Sequence, residues 1–159
     1  MIKIGIDPSG TGTTAIVVFE NNKLIEQFEF INKFWINHAN KIIWKINENY
    51  KHTWTLVMIE NCLPTNVNAS KDRDDLLRLL GAVERERYDI INWVSPKYTK
   101  SVVKNMENQS KYNENIKIVW NIDENLSYEY KKGWKYNNEK ISNHIRDAII
   151  IAHWNKGDK

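Results

Sequence analysis

The stretch from Ile2 to Glu20 constrains the fold most, because it predicts two paired strands around a short Gly-rich turn. Its first part, IKIGID, alternates apolar residues with others, and this period of two indicates a strand with one apolar face. After the break at Pro8, the β-branched run from Thr13 to Phe19 predicts a second strand. Asp7 therefore stands at the carboxyl end of the first strand, where it either caps the turn or serves a functional site.

The length of 159 residues and the net charge of +3 limit the class of protein. We expect a single domain over residues 1–159 with a substantial core, and a mild basicity that permits a polyanionic partner without requiring one. The single cysteine, Cys62, excludes an internal disulfide and a cysteine-based zinc cluster, and it is expected to be a small core residue. The chain shows neither a signal peptide nor an apolar run of membrane-spanning length, so we expect a cytoplasmic protein without a membrane partner.

The next segments predict a three-stranded meander followed by a helix and a buried strand. Leu24 to Phe30 alternates and predicts the third strand, with a hairpin turn at Asn21 and Asn22. Lys33 to about Asn49 has apolar residues at helical spacing, and the nearly continuous apolar run from Thr55 to Glu60 predicts a strand covered on both faces. The intervening helix favours a parallel placement of this strand beside the first.

The middle of the chain predicts a helix, a strand and a second helix. The segment from Asp72 to Tyr88 has acids early and arginines late, as a helix dipole favours, and Gly81 within it predicts close packing against a neighbour. Asp89 to Val94 predicts a fifth strand. Ser95 and Pro96 then fit the cap and first position of the following helix.

The last third of the chain is partly open to interpretation. Residues 105–139 fit part of a helix, a long excursion, or both. Ile141 to Trp154 predicts a C-terminal helix on which His144 and Asp147, three residues apart, lie at the margin of the apolar face. A charged residue at such a margin either forms an ion pair or binds a ligand. Arg146 is not expected to face Asp147.

Three acids are predicted to meet at one edge of the sheet. With a strand order of 3-2-1-4-5 and the last helix packed across the sheet, Asp7, Glu60 and Asp147 converge, because neighbouring strands are only about 4.8 Å apart. Such carboxylates repel one another unless a cation or a proton intervenes. Together with the imidazole of His144, these oxygen donors suit Mg²⁺ or Mn²⁺. The simpler alternatives are a turn cap at Asp7, a Glu60–lysine pair and a His144–Asp147 hydrogen bond.

Five motifs occur in the order found in RuvC-like Holliday junction resolvases of the ribonuclease H-like superfamily: IGIDPSGTGTTAIVV, VMIENC, LLRLLGAVERE, VSPKYTKSVV and HIRDAIIIAHW. The chain resembles this family over nearly its whole length, least between residues 105 and 140. The resemblance implies an α/β ribonuclease H-like fold, with a five-stranded mixed sheet in the order 3-2-1-4-5, strand 2 antiparallel, flanked by helices. The Asn-rich and Lys-rich composition suggests a phage or prophage member.

The resemblance also implies roles for individual residues. Lys100 matches the lysine of the family pattern P-x-x-x-K, counted from Pro96, which lies near the scissile phosphate. His144 stands where many members have a further Asp. The implied metal ligands and catalytic groups are Asp7, Glu60, His144 and Asp147, with Lys100 as a further catalytic residue.

The expected DNA contacts are Leu63, Lys97, Lys100 and Lys104. Leu63 stands where cellular members often carry an aromatic residue that stacks on bases. Leucine can wedge but stacks poorly, so the resemblance does not extend to recognition of the junction centre or to sequence preference. Each lysine also has the simpler interpretation of a solvated surface charge. The same holds for a second basic group beside Trp134 and Tyr136, which either stack on bases or pack: Lys131, Lys132 and Lys135.

The resemblance implies a crossover junction endodeoxyribonuclease that resolves four-way DNA junctions by paired symmetric nicks. We expect phosphodiester hydrolysis with two Mg²⁺ or Mn²⁺ ions per site and a homodimer to match the two-fold junction. The alternatives are a broader nuclease for flaps, forks and three-way branches, and a non-catalytic DNA-binding relative. Actin-like ATPases and sugar kinases share the Gly-Ile-Asp hairpin, but they need a second domain. No phosphate-loop motif is present, so no nucleotide cofactor is expected.

Overall fold

The structure, a computed structural model, contains two β-sheets and four helices in residues 1–50, 54–62, 71–87 and 90–155, the part of the chain that it describes. The larger sheet has five strands in the order β3-β2-β1-β4-β5, as the sequence predicts, and the smaller has the order β6-β7-β8-β9. The chain has the order β1 (Ile2–Asp7), β2 (Thr13–Glu20), β3 (Lys23–Ile31), α1 (Trp35–Tyr50), β4 (Thr55–Glu60), α2 (Lys71–Arg87), β5 (Ile91–Val94), α3 (Pro96–Tyr112), β6 (Ile118–Val119), β7 (Leu126–Glu129), β8 (Gly133–Tyr136), β9 (Glu139–Lys140) and α4 (Asn143–Ala152).

The register of the larger sheet brings two acids to the same edge. β1 pairs antiparallel with β2 and parallel with β4, and Ile6 lies opposite Ile59. Asp7 and Glu60 follow these two residues on their strands, so both acids end their strands at the carboxyl edge. β4 also pairs in parallel with β5, where Glu60 lies opposite Val94.

The alternation along the central strands divides the apolar side chains between the two faces of this sheet. Ile4, Ile6 and Ile16 belong to one core cluster, in which side chains of α1 and α2 are buried. Ala15, Val17 and Phe19 belong to the other cluster, with α4 and the smaller sheet. The larger sheet is therefore covered on both faces.

Helix α4 lies directly on β1 at Gly5. A Cβ atom at position 5 would clash with the backbone oxygen of Ala148 and would lie 2.6 Å from the Cβ of Ala152. Glycine is thus required here by space, and it allows the last helix to approach the first strand with its polar margin near Asp7.

Residues 118–140 contain the four strands of the small antiparallel sheet, which packs on α4 and α3. The stretch left open by the sequence therefore holds the end of α3, up to Tyr112, and then this sheet. The β8–β9 hairpin turns at Asn137 and Asn138, which both have positive φ angles of 49° and 66°. Trp134 and Tyr136 are 4% and 5% exposed, so they pack in the core and are not available to stack on bases.

Three smaller expectations have different outcomes. Cys62 packs against the first core cluster, which confirms its interpretation as a small core residue. The prediction for Gly81 is wrong: a Cβ atom there would meet nothing within 4 Å, and the residue is exposed on α2. Leu63 lies outside the described residues. In the described part of the chain, no helix combines the length and apolarity needed to cross a bilayer.

Candidate active site

The carboxyl edge of the larger sheet gathers the predicted acids from three elements. Asp7 ends β1, Glu60 ends β4, and α4 contributes His144 and Asp147. Helix α4 begins here because Ser142 caps it, its side chain accepting a hydrogen bond from the backbone N–H of Ile145. This cap places the first turn of α4 against the end of β1.

His144 is hydrogen-bonded to Asp7 rather than to Asp147. Its Nδ1 lies 2.9 Å from Oδ2 of Asp7. The hydrogen bond to Asp7 raises the pKa of the His144 imidazole, while burial raises the pKa of the Asp7 carboxyl and the negative charge of Asp147 adds to this. His144 and Arg146 oppose the rise of the Asp7 pKa only in part. Each of the two groups therefore holds its proton to a higher pH than it ordinarily would.

Glu60 is the most perturbed carboxyl of the cluster. Burial, together with repulsion by Asp7 and Asp147, raises the pKa of Glu60 to about 7. Thr99 Oγ1 donates a 2.7 Å hydrogen bond to its Oε2, and the charge of Lys100 also favours ionisation. The mutual repulsion indicates that Asp7, Glu60 and Asp147 face one site.

Asp147 is paired with its neighbour in sequence. Arg146 Nε donates a 2.8 Å hydrogen bond to Asp147 Oδ1, so the expectation that Arg146 does not face Asp147 is wrong. Consecutive helix residues point about 100° apart, but the long arginine side chain folds back over the ring of Trp134, 5.0 Å from its centroid. The guanidinium can therefore reach a carboxylate that the helix geometry places to one side.

A cleft of about 310 Å³ opens beside the acids. It lies between β4, α3 and α4, and opposite charges share its wall. Its lining residues are Glu60, Thr99, Lys100, Val103, Lys104, Glu107, Arg146 and Asp147. Lys100 and Lys104 are one helical turn apart and exposed, so they can meet an incoming anion.

The other lysines predicted as DNA contacts do not line this cleft. Lys97 is exposed on α3 but does not line the cleft. On the small sheet, Lys132 forms a 2.6 Å ion pair with Glu129, Lys131 is exposed and Lys135 is half-buried.

Four residues of the cleft were not predicted as site residues: Thr99, Val103, Glu107 and Arg146. Thr99 lies three residues after Pro96, and Glu107 lies three residues after Lys104. The helical spacing of Thr99, Lys100, Val103, Lys104 and Glu107 was the available signal, because these positions form one face of α3.

The donor chemistry of the site suits a hard divalent cation, although the side chains are not arranged around one. Asp7, Glu60 and Asp147 each keep one carboxylate oxygen that accepts no hydrogen bond from the described residues. Their other oxygens are held by His144, Thr99 and Arg146 respectively. Across the described ranges, no group of three His, Cys, Asp or Glu side chains stands as a ready metal site. By donor type the residues fit Mg²⁺ or Mn²⁺.

Comparisons with known proteins support the fold. No protein-family model matches the chain, and no curated protein matches its sequence. Among solved structures, the chain is similar to Thermus thermophilus RuvC in complex with a Holliday junction substrate, with a TM-score of 0.57, 14% identity and coverage of 96% of this chain and 90% of that one. A second Thermus thermophilus RuvC structure matches with a TM-score of 0.54, 14% identity and coverage of 96% and 92%. The chain has the same α/β fold, with the mixed sheet order that the sequence predicts.

Proposed function

We propose that this chain is a divalent-metal-dependent endonuclease that cuts branched DNA, with the four-way junction as its principal substrate. The observation that carries this proposal is the meeting of Asp7, Glu60 and Asp147 at one sheet edge, beside a cleft with basic residues. The same fold occurs in a RuvC structure described as bound to a Holliday junction substrate, which supports branched DNA as the ligand.

The proposed metal ligands are Asp7, Glu60, His144 and Asp147. Two Mg²⁺ or Mn²⁺ ions held there would activate a water molecule and stabilise charge on the attacking and leaving oxygens of a phosphodiester. The hard carboxylate ligands favour such ions, and a bound cation would offset both the burial of Glu60 and its repulsion by Asp7 and Asp147.

Other side chains of the site attract the DNA and hold the acids in position. Lys100 and Lys104 attract the DNA backbone into the cleft, where the acids alone would repel it. Thr99 fixes the orientation of the Glu60 carboxylate, and the hydrogen bond between His144 and Asp7 connects the first turn of α4 to the end of β1. The positions of these groups are set before substrate arrives, which is the main source of catalysis in phosphodiester hydrolysis.

We propose a homodimer as the active form, because a two-fold symmetric junction that is cut in two opposed strands calls for two symmetric sites. Sedimentation of the protein with and without a four-way junction tests this. We expect a dimer on the junction, whereas one monomer per junction together with paired nicks would contradict it.

The decisive experiment compares end-labelled four-way, three-way, fork, flap and duplex DNA of matched length, each with Mg²⁺, Mn²⁺ or chelator. We expect paired nicks in opposed strands of the four-way junction, no cleavage with chelator and little cleavage of duplex. Equal cleavage rates on all branched substrates would contradict a preference for the four-way junction and would indicate the broader branched-DNA nuclease instead. Binding without cleavage in both metals would overturn the nuclease.

A further inference from the structure

Arg146 is a nearly buried cation in the wall of the cleft. It is 8% exposed, and its guanidinium is held on three sides. Nε donates to Asp147 Oδ1 at 2.8 Å, Nη1 donates to Asn143 Oδ1 at 3.1 Å, and Cζ lies 5.0 Å from the ring centroid of Trp134. The arginine therefore presents one fixed orientation.

The support under this guanidinium is itself rigid. Trp134 lies in β8 of the small sheet, is 4% exposed, and directs its Nε1 to Glu107 Oε1 at 3.3 Å. Its ring also packs against Tyr128, with the centroids 5.0 Å apart. The small sheet thus fixes the orientation of a cation in the cleft. Because Arg146 is already ordered, it loses less conformational entropy when it binds a ligand than a free arginine side chain would.

One nitrogen of the Arg146 guanidinium is available for a further hydrogen bond. Among the described residues, Nη2 of Arg146 has no hydrogen-bond partner, whereas Nε and Nη1 each have one. The residue lines the same cleft as Lys100 and Lys104. A planar, permanently charged donor beside two lysines is suited to a phosphate oxygen.

We propose that Arg146 is a phosphate-binding residue, whose Nη2 donates to a non-bridging oxygen of the DNA backbone while Nε keeps its bond to Asp147. This inference rests on the proposed function, because it takes DNA as the ligand of the cleft. It assigns the small sheet a role in the site: β8 carries the aromatic surface on which the phosphate-binding group rests. The competing interpretation is that Arg146 is only a counter-ion for Asp147.

The test compares R146Q and R146K with R85Q in binding assays without metal. Arg85 is a matched control, since its side chain is 83% exposed on α2 and pairs with Glu86 at 3.2 Å, away from the cleft lining. A fluorescent four-way junction is titrated in chelator over a series of KCl concentrations. We expect R146Q to weaken binding roughly three- to tenfold and to reduce the salt slope by about 1. R146K should recover the slope and only part of the affinity, and R85Q should bind like the wild type.

A measurement on the unaltered protein covers the case in which R146Q does not fold. The side-chain Nε–H resonance of Arg146, assigned with R146K, should shift when the junction is added, and the Nε–H of Arg85 should not. An unshifted Arg146 resonance, wild-type binding by R146Q, or an equal loss in R85Q would each overturn the phosphate contact. Tighter Mn²⁺ binding by R146Q with unchanged DNA affinity would assign Arg146 as a counter-ion instead. Failure of the wild type to bind any branched DNA would refute the proposed function itself, a different result from any of these.

Discussion

Thr99 Oγ1 donates a hydrogen bond of 2.7 Å to Oε2 of Glu60, and this bond ties the first turn of α3 to the end of β4. Thr99 is 3% exposed, so its hydroxyl has little access to water as an alternative partner. Glu60 is repelled by Asp7 and Asp147, and the threonine holds one of its oxygens in place against that repulsion.

Replacing Thr99 by valine should therefore lower the cleavage rate about ten- to hundredfold, as is typical for a residue that hydrogen-bonds to a metal ligand and orients it. Valine keeps the shape and removes the hydroxyl, while Thr99→Ser keeps the hydroxyl and should stay within a few-fold of the wild type. Single-turnover cleavage rates and Mn²⁺ affinity by calorimetry should fall together in T99V. Unchanged metal affinity and rate in T99V would show that the bond is only structural.

Asp7→Asn should abolish cleavage while leaving junction binding intact. The asparagine removes a charged oxygen donor from the proposed metal site but still fits between β1 and α4. Junction affinity in chelator and cleavage in Mg²⁺ are measured on the same preparation. Robust cutting by D7N would be incompatible with the metal assignment.

The raised pKa of Glu60 predicts a pH-dependent penalty on stability. The folded carboxyl keeps its proton up to a pKa of about 7, whereas the unfolded one releases it near the ordinary pKa of 4.5. Between these values the folded state binds more protons, so stability falls as pH rises through this interval, by about 3 kcal/mol at most. Glu60→Gln lacks this titration and should melt above the wild type at pH 8 but close to it at pH 4.5, in chelator.

The same melting comparison between the wild type and E60Q is repeated with Mg²⁺. Mg²⁺ should raise the melting temperature of the wild type at pH 8 and should raise that of E60Q less, because the variant has lost one donor. A melting difference between the two proteins that is the same at both pH values would contradict the Glu60 assignment.

Asp123 should be a principal stabilising residue of the small sheet. Its Oδ2 lies 3.0 Å from the Tyr136 hydroxyl and 3.1 Å from His153 Nε2. Burial opposes ionisation, but these bonds and those from Asn125 outweigh it and lower the pKa of Asp123. Asp123→Ala should cost about 3 kcal/mol by urea unfolding, because it leaves buried partners unsatisfied.

The exposed neighbour Glu124 gives the control, since Glu124→Ala should stay within about 0.5 kcal/mol of the wild type. The stabilisation by Asp123 is present above its ordinary pKa and is lost as pH falls through the lower folded value. The gap between D123A and the wild type should therefore narrow in acid, and a gap that widens there would contradict this account.

The larger sheet and the positions of its acids could be predicted because its strands have sequence patterns long enough to recognise. β1 to β3 and β4 carry alternating or continuous apolar runs of six to nine residues, and the helix between the meander and β4 dictates a parallel pairing. Once the order is fixed, Asp7 and Glu60 must end on one edge.

The small sheet could not be predicted from the same signals. Its strands have only two to four residues, too few to show a period. Its β8–β9 turn uses Asn–Asn at 137–138 in place of the stronger Asn–Gly signal. The Arg146 guanidinium that bonds Asp147 lies over Trp134 of that sheet, so its orientation could not be predicted either.

The close approach at Gly5 has a consequence for genetics. Any side chain at this position must push the last helix off the first strand, which separates His144 from Asp7 although neither has been altered. A random-mutagenesis screen for inactive clones would thus recover position 5 alongside the acids. Its apparent importance would come from steric clearance, because the glycine carries no functional group of its own.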